Sequence, residues 1–217
     1  MKPFLLKIAV LFLFTLAFPT KASLLTINGF TLNTDTQIVS GNSLEWLRWP
    51  ETANMSIQQA LNIYQPEGWR LAYNQEVVDL MNVFFAAEDW SPALDENTSV
   101  GATLDHTAGG VNLWRDFTNI MGVVFSPGPA FSNMLFGEDA DSDGFYRSLG
   151  SFYSDYDPVV VIGDDHPTFT NDFSDMEFGV LLVREPANTV PISSTVTLLL
   201  LPIAVLLLRN RKTDFLL

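Results

Sequence analysis

Two uncharged apolar runs stand near the ends of this 217-residue chain, and the domain must be built between them. The first covers residues 8–18 (IAVLFLFTLAF), behind Lys2 and Lys7 and ahead of Thr20-Lys21-Ala22. Its 11 residues are too few to cross a hydrocarbon core of about 30 Å as a helix, which takes roughly 20. A basic start, a short apolar stretch and a small residue at the junction are the three parts of a secretory signal. The expectation is a signal peptide over residues 1–22, cut after Ala22. The second run, residues 192–208 (ISSTVTLLLLPIAVLLL), has 17 residues without a charge and is followed at once by Arg209-Asn210-Arg211-Lys212. At about 1.5 Å per residue it reaches roughly 25 Å, the short end of a membrane span. Pro202 within it is tolerated in a lipid-embedded helix and costly in a water-soluble one. The basic cluster marks the cytoplasmic side. The expected layout is an exported domain over 23–186, a linker over 187–191, a transmembrane helix over 192–208 and a basic cytoplasmic tail over 209–217.

Val190-Pro191-Ile192-Ser193-Ser194, the apolar run and the two arginines behind it resemble the C-terminal sorting signal called PEP-CTERM. Members of that family carry Val-Pro-x-Pro or a near variant, a short hydrophobic span and a basic end. Val190, Pro191, Arg209 and Arg211 stand at the matching places, Ser193 replaces the second proline, and five residues trail past the basic cluster. The resemblance implies a protein held in the inner membrane with its domain outside. It also implies processing by an exosortase-like enzyme, release to the cell surface or matrix, and association with exopolysaccharide. A plain single-pass anchor is the alternative.

Setting the two ends aside changes the composition. The whole chain has a net charge of −14 and a mean hydropathy of +0.19. Residues 23–190 hold five arginines, no lysine and 24 of the 25 acids, an excess of 19 negative charges. Such a surface repels the phosphates of nucleic acid and attracts divalent cations, which excludes nucleic acid as a partner. With no Cys, a disulfide scaffold and a thiolate metal site are excluded as well. The 168 residues from 23 to 190 suffice to bury one core without covalent staples.

Within that middle, residues 24–32 read as a hairpin, with alternating apolar residues around Asn28-Gly29. Residues 37–39 and 44–47 read as further short strands. Ser56-x-x-Gln59 is a capping box opening a helix over 56–64, with Ile57, Ala60, Leu61 and Tyr64 on one face. Pro66 and Gly68 stop it, and 68–73 returns extended. Asn74 is expected to cap a second helix over 75–85, striped by Val77, Val78, Met81, Phe84 and Phe85. Residues 86–110 read as a loop, and 113–125 as a third helix interrupted by Gly122. Beyond Ser126 the pattern predicts short strands and long loops, with one strand over 159–162 and a last one over 178–183. The expected class is α+β: a small twisted antiparallel sheet with two or three helices and long loops, between the signal helix and the transmembrane helix.

A second resemblance rests on Leu44-Glu45-Trp46-Leu47, Met55-Ser56 with Ala60-Leu61, Gly68-Trp69-Arg70-Leu71-Ala72, Glu76-Val77 and the closing Phe178-Gly179-Val180-Leu181-Leu182-Val183-Arg184. These residues resemble a group of bacterial exported domains related to the C-type-lectin-like fold, in which Thr stands at the place of Tyr73. The resemblance implies two helices on a small twisted sheet and one face built of long loops. Read by position, Trp46, Trp69 and Arg70 are structural. Trp69, between two helices, is expected to pack on both, and Arg70, on the opposite face, to pair with Glu76 or Glu45.

Chemistry is sparse. His106 and His166 lie in no metal-ligand spacing, and His166, between Asp164-Asp165 and Pro167, reads as a solvated loop residue. Asp139-Ala140-Asp141-Ser142-Asp143-Gly144 places carboxylates at positions 1, 3 and 5 and Gly at 6, the first half of a calcium loop. Position 12, where an EF-hand has Glu, is Gly150, so an EF-hand is excluded. What remains is a partial Ca²⁺ loop with Asp139, Asp141 and Asp143 as ligands, needing others from Asp155, Asp157, Asp164 or Asp165; a solvated acidic loop is the plainer reading. No other cofactor and no catalytic residue is assigned. The expected function is a non-enzymatic exported surface or extracellular-matrix protein with a ligand- or polysaccharide-associated binding domain. The alternative is a secreted hydrolase using paired carboxylates on polysaccharide.

Overall fold

The structure, a computed structural model, describes residues 23–105, 107–124, 131–139, 141–153 and 157–186. The expected signal with Ala22, the transmembrane run, and Val190, Pro191, Arg209 and Arg211 lie outside the described residues. No helix among the described residues is long and apolar enough to cross a membrane. One compact unit ends at Glu185.

Its first sheet grows from local signals. Strands β1 (Leu24–Ile27) and β2 (Phe30–Asn33) pair antiparallel through Asn28 and Gly29, whose φ values of 50° and 82° are the two left-handed positions of a type I′ turn. β3 (Ile38–Gly41) and β4 (Leu44–Leu47) extend the meander. The C-terminal strand β12 (Leu182–Arg184) pairs antiparallel with β4 on one side and β5 (Arg70–Leu71) on the other, giving the order β1-β2-β3-β4-β12-β5.

A second sheet corrects the expectation of one small antiparallel sheet. β6 (Val100–Thr103), β7 (Phe131–Phe136), β8 (Phe145–Phe152), β9 (Val159–Ile162) and β11 (Phe178–Val180) lie in the order β11-β7-β8-β9-β6, and β10 (His166–Thr170) also pairs with β8. β11 and β7 run parallel. The expected single strand over 178–183 is therefore two strands in two sheets. Leu181 is the switch: its N–H donates to Leu135 O in one sheet (2.9 Å), and its carbonyl accepts from Ala72 N–H beside the other (3.0 Å). β6 falls where a loop was expected, because Val-Gly-Ala-Thr offers little alternation to read. His166 opens a strand, and is not a loop residue.

Three helices complete the α+β unit. α1 (Ile57–Tyr64) begins at the capping box, with Gln59 N–H donating to Ser56 Oγ (3.2 Å) and Ser56 N–H to Gln59 Oε1 (2.9 Å). α2 (Asn74–Phe84) starts at the residue expected to cap it, one residue earlier than expected. Tyr73 is the boundary residue, its N–H held by the Glu76 carboxylate at 2.8 Å, and Asn74 is already helical. α3 (Gly110–Met121) starts and stops earlier than expected, ending where Gly122 adopts φ 94°.

Two apolar clusters follow from the period-two alternation of strands. Along β7, Met134 and Phe136 enter the larger cluster and Leu135 the smaller; along the C-terminal run, Leu181 and Val183 enter the larger, Val180 and Leu182 the smaller. In the larger cluster the Phe117 ring lies 5.2 Å from each of Trp49, Phe84 and Phe85. Trp46 is fully buried there. Trp69 joins the smaller cluster with Ile57 and Ala60 of α1, whereas the buried stripe of α2 belongs to the larger. Packing of Trp69 on both helices is thus replaced by α1 on one side and the Arg184 guanidinium over its ring at 4.3 Å.

Candidate functional site

The acidic motif sits in the connection between β7 and β8. Gly137, at φ 105°, turns the chain away from β7. The aspartates then fold the loop on themselves: Asp139 Oδ1 accepts from Gly144 N–H (3.1 Å), Asp141 Oδ1 from Asp143 N–H (3.1 Å), and Asp143 Oδ1 from Phe145 N–H (2.8 Å). Ser142 and Gly144 supply the left-handed positions, at φ 63° and 86°. One ligand atom from each of Asp139, Asp141 and Asp143 lies within 4.8 Å of the others, with Asp139 half-buried and the other two exposed. Among the described residues that cluster holds these three carboxylates and no fourth Asp, Glu, His or Cys.

The further ligands named from the sequence are dispersed. Asp155 lies outside the described residues. Asp157 is half-buried just ahead of β9. Asp164 Oδ1 accepts from Ser99 Oγ (3.0 Å), and the Asp164 N–H donates back to the same hydroxyl (2.9 Å). Asp165 lies in the field of the loop: its burial first, then the charges of Asp143, Asp141 and Asp164, raise its carboxyl above the usual range.

Beneath this acidic face lies a residue that periodicity did not single out. Arg147, fully buried on β8, donates from Nε to Gly163 O (2.9 Å), from Nη2 to Thr98 O (2.8 Å) and from Nη1 to Ala93 O. Desolvation lowers its pKa, and the nearby charges of Asp165, Asp164, Glu96 and Asp95 act in the opposite sense. One guanidinium thus ties the 3₁₀ turn Ser91–Leu94, the Thr98 segment and the β9–β10 turn to strand β8. A signal was available: Arg147 is one of only five arginines, with no lysine, in residues 23–190 and sits in an otherwise apolar and small-residue strand.

Beside the Arg147-held turn opens a groove of about 370 Å³. The register of β10 on β8 jumps from His166↔Tyr146 to Thr170↔Phe145, so Pro167, Thr168 and Phe169 bulge between those two pairings. Bulges re-aim side chains, and this one accompanies a floor of Phe169 with Phe173 and Phe178. Their ring centroids stand 5.1–5.4 Å apart, and His166 lies 5.6 Å from Phe169. Ser148, Asp164 and Thr168 supply polar groups.

Arg70, expected to pair with Glu76 or Glu45, forms a bidentate pair with Glu76, at 2.8 and 2.6 Å, and stacks 4.2 Å from the Tyr73 ring. The hydrogen bond to Glu76 raises the Arg70 pKa. Glu45 pairs with Arg184 at 2.7 Å. These two pairs pin β4, β5, α2 and β12 together. No family model, curated protein or solved structure matches the chain.

Proposed function

We propose that this chain is an exported, non-enzymatic binding protein whose 23–186 domain presents a carboxylate-rich loop face to a polysaccharide at the cell surface or in its matrix. The observation that carries the reading is the gathering of Asp95 and Glu96 on one segment and Asp164 and Asp165 on another around Arg147, which holds the carbonyls of Ala93, Thr98 and Gly163. A face assembled on a buried anchor is pre-organised, which lowers the ordering cost of binding. The adjoining groove has Asp164 as its one lining carboxylate among the described residues, whereas two-carboxylate hydrolysis needs a facing partner at roughly 5–9.5 Å. Within this groove, that composition supports binding and not two-carboxylate hydrolysis. Retention of the purified full chain on extracellular polysaccharide from its own cells tests the reading. Passage straight through the column, with a folded protein, would sink it.

The finer statement of fold we propose is the C-type-lectin-like one, supported by the residues of 44–85 and by a loop-built face carried on a sheet scaffold. Export and sorting are supported by the two apolar ends and by Val190-Pro191 with Arg209 and Arg211. Mass spectrometry of the cell-derived protein is expected to find an N-terminus at Ser23 and a C-terminus trimmed of the basic tail by an exosortase-like enzyme. An intact Leu217 overturns the sorting proposal and leaves a permanent anchor.

Calcium on the Asp139–Asp141–Asp143 loop belongs to the same reading, supported by the convergence of the three carboxylates. Extracellular sites of roughly 10⁻⁴–10⁻³ M fill outside the cell. Calcium at ten times such a Kd is expected to stabilise the fold by about 1.4 kcal/mol. The check is a melting curve with calcium against one with chelator, and Asp141→Ala is expected to abolish the shift. Identical melts in both conditions remove the ion.

A further inference from the structure

The groove at the β10 bulge has a composition that a purely structural cluster does not need. Phe169, Phe173 and Phe178 pack against the smaller core cluster yet remain half-exposed, and their mutual tilts of 49–89° make an uneven apolar floor. The rim is chemically mixed. His166 Nδ1 accepts from Thr168 N–H (3.2 Å), which leaves the ring proton on Nε2 as an outward donor on an exposed side chain. Asp164, with one oxygen held by Ser99, is an acceptor; Ser148 and Thr168 bring hydroxyls able to do both. Gly163 keeps this rim open, because a Cβ there would crowd Ser148 Oγ at 3.0 Å. At about 370 Å³ the groove stands near the lower end of ligand pockets, roughly 300–1,000 Å³.

We infer that this groove binds one uncharged pyranose ring of a polysaccharide, a deepening that rests on the binding-protein reading above. A pyranose has apolar C–H faces and a circumference of hydroxyls that donate and accept. The phenyl floor matches the first, and the donor, acceptor and hydroxyl rim match the second. A wholly apolar ligand would leave Asp164 and the His166 donor unused on desolvation, at a cost. A uronate or sulfated sugar would bring its charge against Asp164, into a domain with 19 excess negative charges. Charge complementarity therefore selects the neutral sugar.

The experiment is calorimetric titration of the purified full chain with neutral hexasaccharides of glucan, mannan, galactan and chitin type, and with hexagalacturonate. At least one neutral oligomer is expected to bind and the uronate not to. Phe169→Ala is expected to weaken that binding about tenfold, the loss of one aromatic contact. His166→Ala, at an exposed position, is expected to weaken it several-fold with an unchanged melting temperature, which separates binding from folding. Asp79→Ala, exposed on α2 and outside both the groove and the acidic loop face, should leave it unaltered. Binding to no neutral oligomer, or preferred binding of the uronate, overturns the groove assignment. So does neutral binding that survives both groove variants; retention on the native polysaccharide then shows that the broader reading still stands. Loss of that retention as well brings down both.

Discussion

Replacing Arg147 with Met is expected to lower the unfolding free energy by on the order of 2–4 kcal/mol, a large share of the roughly 5–15 kcal/mol that holds a domain of this size. The substitution keeps most of the apolar stem and removes the guanidinium, so packing changes little and hydrogen bonding changes much. Three hydrogen bonds from a charged donor are lost, each contributing about 1.5–3 kcal/mol. Against that gross sum stands the burial cost of the cation, several kcal/mol, which the variant no longer bears. The carbonyls of Ala93, Thr98 and Gly163 are left to find other donors. The acidic groups Asp95, Glu96, Asp164 and Asp165 lose the positive charge they surround, so part of the loss should be recovered in high salt, which screens their repulsion. Urea denaturation is the check, because guanidinium would itself act as salt. Arg147→Lys should fall between, since an ammonium keeps the charge without the planar fork. A Met variant within about 1 kcal/mol of the natural protein would mean that the three carbonyls are satisfied without Arg147, and the loop face would lose its anchor.

The legible parts of this molecule are those whose partners lie close in sequence. The Asn28-Gly29 hairpin and the Ser56/Gln59 capping box each settle their hydrogen bonds within a few residues, and both occur where the pattern places them. The strand over Val159–Ile162 is bounded by Pro158 and Gly163 and was equally plain. What was hidden depends on distant partners. The run from Phe178 to Arg184 is apolar nearly throughout, so nothing in it marks Leu181 as the residue that leaves one sheet for the other; only Leu135 and Ala72 do. The aspartate spacing at 139, 141 and 143 was readable because the loop closes on itself, whereas the approach of Asp165 depends on the β9–β10 turn that Arg147 holds. The groove offered a faint signal, phenylalanines at 169, 173 and 178 among Thr, Asn and Asp, with a spacing that fits neither helix nor strand. Irregular spacing of that sort arises when a bulge and a turn, instead of a regular element, bring the rings together.

Thr52→Val is expected to destabilise the fold by roughly 2–5 kcal/mol, although it replaces one hydroxyl with one methyl and leaves no cavity. Thr52 is fully buried at the end of the 3₁₀ turn Trp49–Thr52, and its hydroxyl both donates to Val180 O (2.8 Å) and accepts from Val180 N–H (2.9 Å). β11 is an edge strand, paired to β7 on one side, and Val180 directs both of its backbone groups to the other. The turn closes that edge: Thr52 takes both groups of Val180, and Asn54 N–H donates to Phe178 O at 2.7 Å. Gly179 permits the approach, since a Cβ there would lie 3.0 Å from the Thr52 hydroxyl. Valine would bury a donor and an acceptor without partners, each costing about 1–3 kcal/mol. Thr52→Ser keeps the hydroxyl and should lose no more than about 1.5 kcal/mol, for one buried methyl. Urea denaturation of the two variants, with hydrogen exchange at the Val180 amide, separates the effects, and equal stability of the two would refute the edge-closing role. The same pair reaches the candidate site, because Phe178 opens β11 and forms part of the groove floor. If the valine variant frees that edge, the proposed saccharide binding should weaken along with Val180 protection, while the serine variant keeps both.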